Sequence, residues 1–502
     1  MSFKYSLDKM FDFDQKWNTL PGKGANYCVP TSMCNIMGFL SKNGYESLWR
    51  KIPGIQPKFA DLNIINNLAI MGDYMETDPD KGTSHNKAID GLEDFMDGKY
   101  TGLIYTRTSA DDAIFLRNLK DHLSLKRLMA VGVGRYTQVG ENAILYHRSG
   151  GHCITVVGLQ TNASNATLIY HDPNSGDSDL HKQSSVMPVS SNLRETAIMV
   201  DGYYRQGIQL TSITSGFRMM DSYTVLAPLI MLYFDDITTS LNLVQGADWT
   251  NAKQTVSRVD TKAVGKIKDL IFNAENTAAY VISENKSGIW KLDLVTMKLT
   301  QVNASIHPSR LIASENNYKI FASVNSKIFS LEDEKNLTEV ADLGVVPDAL
   351  TYNFKKKQLI AVAAGVGKLL TIDASRKVVS MELTSGINSD YVNATINPKS
   401  GALYLSKNNS YDFVRISLNG NAIKSIAHEE LEKKAPVSKM HMNNKGVFAV
   451  SQQGKLKFYN DKGIAVSVKD WDDASTGNIF KLSRGFNVLS PSLMEREEWK
   501  YQ

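Results

Sequence analysis

The chain has 502 residues, enough for two to four domains, and its 42% hydrophobic and 22% charged residues are typical of a globular protein. A formal charge of +4 over this length gives no basis for binding nucleic acid or an anionic membrane surface. With three cysteines and no Cys-x-x-Cys pair, neither a disulfide framework nor a structural zinc site is expected, and a reducing compartment fits.

The N-terminal segment has no apolar core of signal-peptide length, because charged side chains interrupt Met1 to Phe13. The longest apolar run, Tyr223 to Phe234, is about half the length of a membrane span and contains Pro228. We interpret this run as a buried strand pair. The sequence therefore predicts no membrane span and a cytoplasmic location in the cell that makes the protein.

In the first half of the chain, helical signals precede strand signals. Apolar residues at helical spacing predict helices over Thr31 to Ser41, Asp61 to Met71 and Ser109 to Leu125. Strand-like runs follow over Leu128 to Val133, Ala143 to Tyr146, His152 to Leu159, Ala166 to Tyr170 and Tyr223 to Leu232. The polar stretch from Asn174 to Ser185 is expected to be a loop. Helices followed by a sheet predict an α+β domain over residues 1–235.

From about residue 236, short strand-like runs recur between turns rich in Asn, Lys, Gly and Ser. Five of these runs are equivalent when stacked, with spacings of 39, 41, 44 and 44 residues between their anchors Trp290, Phe329, Leu370, Val414 and Phe458. A second strand precedes each anchor. A period near 40 residues with several strands per unit is typical of a β-propeller. We predict a propeller-like domain over residues 236–490, with five legible repeats and six or seven blades, then a polar tail over 491–502.

The alternative for this half is an irregular β-sandwich whose hairpins imitate a repeat. Propeller faces usually bind partners, so we expect this domain to recognise a protein substrate or partner rather than to carry chemistry. The fold by itself does not establish that role.

The stretch from Asn26 to Cys34 is the first candidate for chemistry. Cys28 directly precedes a predicted helix start, where Pro30 suits the first helical position. A thiol at a helix N-terminus faces unpaired backbone N–H groups and the positive end of the helix dipole, which favour the reactive thiolate. Cys28 is therefore a candidate nucleophile, with a small buried loop residue as the alternative.

A cysteine nucleophile needs a histidine base and a third group that orients the base. His152 opens a predicted strand, and the next strand runs into Asp172. A simple hairpin centred near Asn162 would place these two residues directly opposite each other, with Cβ atoms roughly 5 Å apart. A slip of one residue would separate them, so this register is a testable prediction.

Three local contexts resemble those of papain-like cysteine peptidases, and most closely the bacteriocin-processing peptidases that cleave after a double glycine. They are Cys-x-Pro-Thr-Ser at Cys28, Gly-His-x-x-Thr-Val-Val-Gly at His152 and His-Asp-Pro at Asp172. The resemblance covers about residues 12–235. It implies a papain-like fold in which Cys28 is the nucleophile, His152 is general base and then acid, and Asp172 orients the imidazole.

The sequence departs from this family at the oxyanion hole, where a glutamine is expected six residues before the cysteine. That position holds Gly22. We expect Gln15, or almost equally Asn26, to replace the glutamine together with the backbone N–H of Cys28. Losing one oxyanion donor typically slows catalysis about 100- to 1,000-fold.

The other cysteines and histidines have simpler expected roles. Cys34 and Cys153 are expected to be buried, and His171 to be a satisfied histidine at a strand end. His147 is a rival base, although its neighbours Arg148 to Gly150 favour a loop.

Three functional hypotheses follow. The first is a cysteine peptidase or isopeptidase that forms a thioester acyl-enzyme. The second passes the acyl group to an amine, as a transglutaminase does, and the third is an inactive pseudo-peptidase that acts as a protein-interaction scaffold.

No cofactor or metal ion is expected. Ala364 to Lys368 lacks the first glycine and the hydroxyl residue of a phosphate loop, and the acidic residues after Asp172 do not have the spacing of a calcium loop. The acidic run from Glu495 to Glu498 resembles the export signals of bacterial type IV secretion effectors. Export as an effector is therefore a further hypothesis.

Overall fold

The protein is described by a computed structural model, in which two compact units divide between Ala227 and Pro228. The sequence-based boundary at residue 235 therefore lies too late. The structure describes residues 2–56, 60–96, 102–108, 112–141, 145–162, 165–174, 189–200, 203–211, 217–228, 230–234, 240–245, 255–273, 275–313, 319–331, 336–353, 356–383, 387–397, 400–407, 412–419, 422–430, 440–442, 448–452, 455–459, 465–470 and 479–482. The predicted tail over 491–502, with its acidic run, and most of the loop predicted over 174–185 lie outside these ranges.

The described part of the first unit contains four α-helices. They are α1 (Cys28–Lys42), α2 (Ala60–Tyr74), α3 (His85–Met96) and α4 (Asp112–Ser124). Three of them match the predicted helices, although α1 begins at Cys28 rather than after it. Helix α3 was not predicted, because a single narrow stripe of apolar residues, Ala88, Leu92 and Phe95, supports an otherwise polar segment.

An eight-stranded sheet accompanies these helices. Its strands are β1 (Phe3–Ser6), β2 (Gly102–Thr108), β3 (Leu128–Gln138), β4 (Leu145–Thr161), β5 (Ala166–His171), β6 (Val189–Val200), β7 (Tyr203–Leu210) and β8 (Phe217–Pro228). The strand order is β1-β4-β3-β8-β7-β6-β5, with β2 paired to β8, and β4 also pairs with β5 and β6. The long strand β4 therefore pairs with both β1 and β5, the strands at the two ends of this order.

Two predictions for this sheet were wrong. The runs predicted as separate strands around His152 form one continuous strand, β4, so His147 lies on a strand rather than in a loop. The apolar strand pattern is interrupted within β4, because the residues from His147 to Ser149 are exposed. The run from Tyr223 to Phe234 is not a strand pair in one sheet, since β8 belongs to the first unit and the strand after it to the second.

Helix α1 packs its apolar stripe into the core of the first unit. The four predicted stripe residues are almost fully buried: Met33, Ile36, Met37 and Leu40. They pack with side chains from α2, α3 and the sheet, including Leu68, Leu92 and Val157. This packing places the start of α1 at the sheet.

The second unit consists, in its described residues, of six four-stranded antiparallel sheets. The first combines β9 (Ile230–Phe234), β10 (Ser240–Gln245) and β11 (Thr255–Asp260) with the last strand of the chain, β32 (Ile479–Leu482). The second and third contain β12 (Ile267–Phe272), β13 (Ala278–Ser283), β14 (Ile289–Asp293) and β15 (Lys298–Asn303), then β16 (Arg310–Ala313), β17 (Ile320–Val324), β18 (Lys327–Leu331) and β19 (Leu337–Asp342).

The remaining three sheets follow in chain order. They contain β20 (Ala349–Asn353), β21 (Gln358–Ala363), β22 (Lys368–Ile372) and β23 (Val378–Glu382), then β24 (Tyr391–Ile396), β25 (Leu403–Lys407), β26 (Asp412–Asn419) and β27 (Ala422–Glu430), then β28 (Met440–Met442), β29 (Phe448–Gln452), β30 (Lys455–Tyr459) and β31 (Ala465–Asp470).

One edge strand of each sheet lies next to the corresponding edge strand of the following sheet, in the order β32, β12, β16, β20, β24 and β28. This is the arrangement of a β-propeller, in which each sheet is one blade. The first blade takes its innermost strand, β32, from the C-terminal end of the described chain and its other three strands from the start of the unit. The ring is closed by pairing between the two ends of the propeller sequence.

The predicted propeller is confirmed. All five anchor residues lie on the third strand of their blade, from Trp290 on β14 to Phe458 on β30. The first blade did not show as a repeat in the sequence, because its strands come from opposite ends of the propeller sequence, which removes the constant period.

Candidate functional site

Cys28 is the first residue of α1. No side chain caps the helix, and no acidic residue lies in its first turn. The first intrahelical hydrogen bond runs from the N–H of Thr31 to the carbonyl of Tyr27. The first N–H groups of a helix have no intrahelical partner, so the half-buried Cys28 thiol lies at an electropositive position.

His152 lies in the middle of β4, and Asp172 directly follows β5. The ring Nε2 of His152 donates to Oδ1 of Asp172 at 2.6 Å. Cys28 lies beside the same ring, because both residues line one cavity and the Cys28 side chain contributes to the raised pKa of His152. The structure therefore brings all three predicted residues together in the order thiol, imidazole, carboxylate.

The electrostatics of this group favour a charged imidazole. Burial alone would lower the pKa of His152, but the hydrogen bonds and negative charges of Asp172 and Cys28 raise it to about 9. Burial alone would raise the pKa of Asp172, but the hydrogen bond and charge of His152 hold it below its ordinary value. The His152 side chain, 20% exposed, is thus protonated and the carboxylate ionised at neutral pH.

The contact between His152 and Asp172 does not arise from the predicted strand register, which was wrong. The hairpin pairs Thr161 with Ala166, so its centre lies beyond Asn162, where it was predicted, and Val157 is skipped in the pairing. Asp172 lies beyond the last paired residue, His171, which faces Thr155. Its carboxylate reaches the ring from the loop after the strand, where the N–H of Asn174 also donates to it at 2.9 Å.

A cavity of about 250 Å³ adjoins Cys28 and His152. One side is formed by the start of α1 and by the turn and first residues of α3, from Lys81 to Ala88. The other side is formed by β3, β4 and β8, whose contributions include Gly132 and Ser222. A volume of this size accommodates one or two amino-acid side chains beside the sulfur.

Of the two oxyanion candidates, Asn26 lines this cavity and Gln15 does not. Gln15 is 2% exposed, and its Nε2 donates to the carbonyl of Ala25 at 2.8 Å. Its backbone N–H donates to the carbonyl of Pro173, also at 2.8 Å. Gln15 thus ties the loop after Asp172 to the loop before Cys28.

Asn26 donates through Nδ2 to the carbonyl of Pro79 at 2.7 Å. An amide nitrogen carries two protons, so the second remains for a ligand in the cavity. Asn26 therefore stays a candidate oxyanion donor, together with the N–H of Cys28.

A group at the cavity edge was missed by the sequence reasoning. Asp221 accepts from the hydroxyl of Tyr136 at 2.6 Å and from the Nη2 of Arg148 at 3.0 Å. A β-bulge produces this arrangement, since Gly132 pairs with Ser222 and Val133 with Met220, leaving Asp221 as the extra residue. Gly134 could have signalled it, because a Cβ there would lie 2.3 Å from the carboxylate of Asp221.

Cys34 and Cys153 are buried and His171 ends β5, as predicted, whereas His147 lies on a strand and not in the predicted loop. Cys34 is fully buried in the core, and its Sγ donates to the carbonyl of Asn67. Cys153 is buried as well, although it lines the same cavity as Cys28. His171 is 3% exposed, with Nδ1 3.1 Å from a carboxylate oxygen of Asp12. His147 is exposed on β4 and does not line the cavity.

Among the described residues, no group of three or more His, Cys, Asp or Glu side chains is arranged to hold a metal ion. Within the same ranges, none of the helices combines the length and the apolar character needed to cross a membrane.

No protein-family model matches the chain, and no curated protein matches it. Among solved structures, the chain is similar to a streptogramin B lyase (15% identity, TM-score 0.33, 41% of this chain and 68% of that chain). It is also similar to a virginiamycin B lyase from Staphylococcus aureus, with 11% identity, a TM-score of 0.36 and coverage of 46% of this chain and 78% of that chain. A chain of a nidogen/laminin complex is similar too, with 11% identity, a TM-score of 0.41 and coverage of 52% of this chain and 99% of that chain. At these identities and scores the likenesses carry no argument about activity.

Proposed function

We propose that this protein is a papain-like cysteine hydrolase that cleaves a peptide or isopeptide bond. The observation that carries the proposal is that Cys28 and His152 line one open cavity and that His152 is hydrogen-bonded to Asp172. The fold of the first unit, with a cysteine at a helix start and a histidine on a facing strand, is compatible with the papain-like class.

In this mechanism the Cys28 sulfur attacks the carbonyl carbon of the scissile bond. Protonated His152 delivers its Nδ1 proton to the leaving amine, and a thioester remains on Cys28. Neutral His152 then accepts a proton from water, which attacks the thioester and releases the acid. Asp172 holds the imidazole and stabilises its charged form, as the third group of a triad does.

The developing oxyanion would be bound by the N–H of Cys28 and the free proton of Asn26 Nδ2. Gln15 acts instead as a brace, because it is buried and does not line the cavity. An inactive pseudo-peptidase remains the main competing hypothesis, because the family's glutamine is absent.

Transfer of the acyl group to an amine is the other enzymatic reading. Product mass separates it from hydrolysis, since hydrolysis adds water to the acyl fragment and transfer adds the amine. We propose that the propeller selects or holds the protein substrate.

The test is labelling with a thiol-directed electrophilic probe, in the wild type and in Cys28→Ala, Cys34→Ala and Cys153→Ala. Labelling should be lost in Cys28→Ala and retained in the two variants of buried cysteines. Labelling of Cys28→Ala at the wild-type level would refute the proposal.

A further inference from the structure

A chain of buried polar contacts joins α1 to β4 one turn beyond Cys28. The Ser32 hydroxyl donates to the carbonyl of Cys153 at 3.0 Å. The Thr155 hydroxyl donates to the carbonyl of Ser32 at 3.1 Å and accepts from Nδ2 of Asn35, also at 3.1 Å. Ser32, Asn35 and Thr155 are fully buried, so each contact is shielded from water.

These contacts lie on the helix face that carries the nucleophile. Ser32 and Asn35 follow Cys28 by four and seven residues, which places all three on one side of α1. On β4, Cys153 and Thr155 alternate with His152 and Ile154, so they share the sheet face that meets this side of the helix. The network thus links the helix that begins with Cys28 to the strand that carries His152.

Apolar packing alone would not fix this relation. Dispersion contacts between a helix and a sheet are non-directional, so small slides or rotations of the helix cost little. Hydrogen bonds weaken steeply with distance and angle, so the reciprocal contacts between Ser32 and Thr155 define one register of α1 along β4.

The network continues into the N-terminal segment. The N–H of Phe13 donates to Oδ1 of Asn35 at 2.9 Å. Two residues later, the N–H of Gln15 donates to the carbonyl of Pro173, next to Asp172. Thr155 is therefore the centre of a connected set of contacts that reaches the elements carrying all three proposed catalytic residues.

We propose that Thr155 is a positioning residue, whose hydroxyl sets the separation and orientation of the Cys28 sulfur relative to the His152 ring. This proposal rests on the proposed function of the Cys28–His152 pair. A misplacement of about 1 Å can cost up to about 100-fold in rate, so a loosened register is expected to have a measurable effect.

The experiment compares Thr155→Val with Thr155→Ser. Valine keeps the shape but removes the hydroxyl, whereas serine keeps the hydroxyl and loses only a methyl group. Two quantities are measured on the full chain: the titration of the His152 ring by NMR and the rate of Cys28 alkylation by iodoacetamide at pH 7. Val156→Ala, on the opposite face of β4, supplies a matched loss of packing.

Thr155→Val should slow alkylation about 10-fold and lower the His152 pKa, while Thr155→Ser stays within about 2-fold of the wild-type rate. Val156→Ala should lower the melting temperature without changing either readout. If Thr155→Val does not fold, Ser32→Ala, which removes only the contact to Cys153, should shift both readouts in the same direction.

The proposal is overturned if Thr155→Val behaves as the wild type, or if Thr155→Ser or Val156→Ala changes both readouts as strongly. Failure of the proposed function looks different. In that case Cys28 of the wild type is no more reactive than a free thiol, while the effect of Thr155→Val on the His152 titration still tests positioning.

Discussion

Replacing Asp172 by asparagine tests the electrostatic account of the site. The asparagine side chain keeps the size of the carboxylate and can still accept a hydrogen bond from Nε2 of His152, but it carries no charge. We expect the pKa of His152 to fall from about 9 in the wild type towards its ordinary value of 6.5.

The magnitude follows from the structure. The wild-type pKa of about 9 lies well above the ordinary value of 6.5, and at about 1.4 kcal/mol per pKa unit this difference corresponds to about 3 kcal/mol in favour of the charged ring. Asp172 and Cys28 share this effect. An opposite charge at hydrogen-bonding distance typically shifts a pKa by about 1 to 3 units, so Asp172→Asn should lower that of His152 by at least about one unit.

The assay is NMR titration of ring-labelled histidines in the wild type, in Asp172→Asn and in the double variant Cys28→Ala/Asp172→Asn. In the double variant neither negative charge remains beside the ring, so the pKa of His152 should fall further than in Asp172→Asn. An unchanged His152 pKa in Asp172→Asn would show that the charge of Asp172 does not raise the pKa of the ring.

The same contact makes stability depend on pH. Because the folded pKa of His152 is raised, its contribution to the free energy of unfolding is complete below about pH 6.5 and is lost as the pH rises through about 9. The pKa of Asp172 is depressed instead, so its contribution to the free energy of unfolding is lost as the pH falls through the folded pKa of the carboxyl group. The destabilisation caused by Asp172→Asn should therefore be larger at pH 7 than at pH 10.

Two further predictions concern the cavity edge and the propeller. In Gly134→Ala, the new Cβ would lie 2.3 Å from Asp221 Oδ2 and 2.6 Å from Tyr136 Cε2, so denaturant unfolding should show a loss of about 1–3 kcal/mol. Gly150→Ala is the control, since nothing lies within 4 Å of its Cβ, and an equal loss in both variants would contradict the steric argument. A chain ending at residue 478 lacks β32 and its four residue pairs with β9, so the propeller should melt at least about 5 °C lower than in a chain ending at Leu482. Equal melting temperatures would contradict closure by β32.

The fold could be predicted where local pattern and tertiary packing agree. The stripe of α1 and the third strands of five blades have a strong period, and the structure buries the stripe residues together with Trp290, Leu370 and Val414. Helix α3 and the exposed part of β4 could not be predicted, because their positions depend on partners distant in sequence. The first blade was hidden for the same reason, since β32 and β9 lie at opposite ends of the unit.

The candidate site shows a similar division. The local contexts of Cys28, His152 and Asp172 were sufficient to name three residues that the structure brings together. The predicted register was wrong, because neither the centre of the hairpin nor the skipped Val157 can be read from residue types.

The roles of the surrounding side chains were harder to predict. Gln15 was chosen for its amide, but a buried amide binds whichever backbone groups the fold places beside it, here the carbonyl of Ala25. The buried network around Thr155 left only a weak signal, namely Ser32 and Asn35 on an otherwise apolar helix face.

The most direct test of the central claim is the rate of Cys28 alkylation at pH 7 in the wild type and in His152→Ala. A neighbouring cation favours the thiolate, so removing the imidazole should slow alkylation at least about 10-fold. The deficit should shrink at pH 10, where an ordinary thiol ionises without assistance. Equal rates at pH 7 would contradict the claim that His152 activates Cys28.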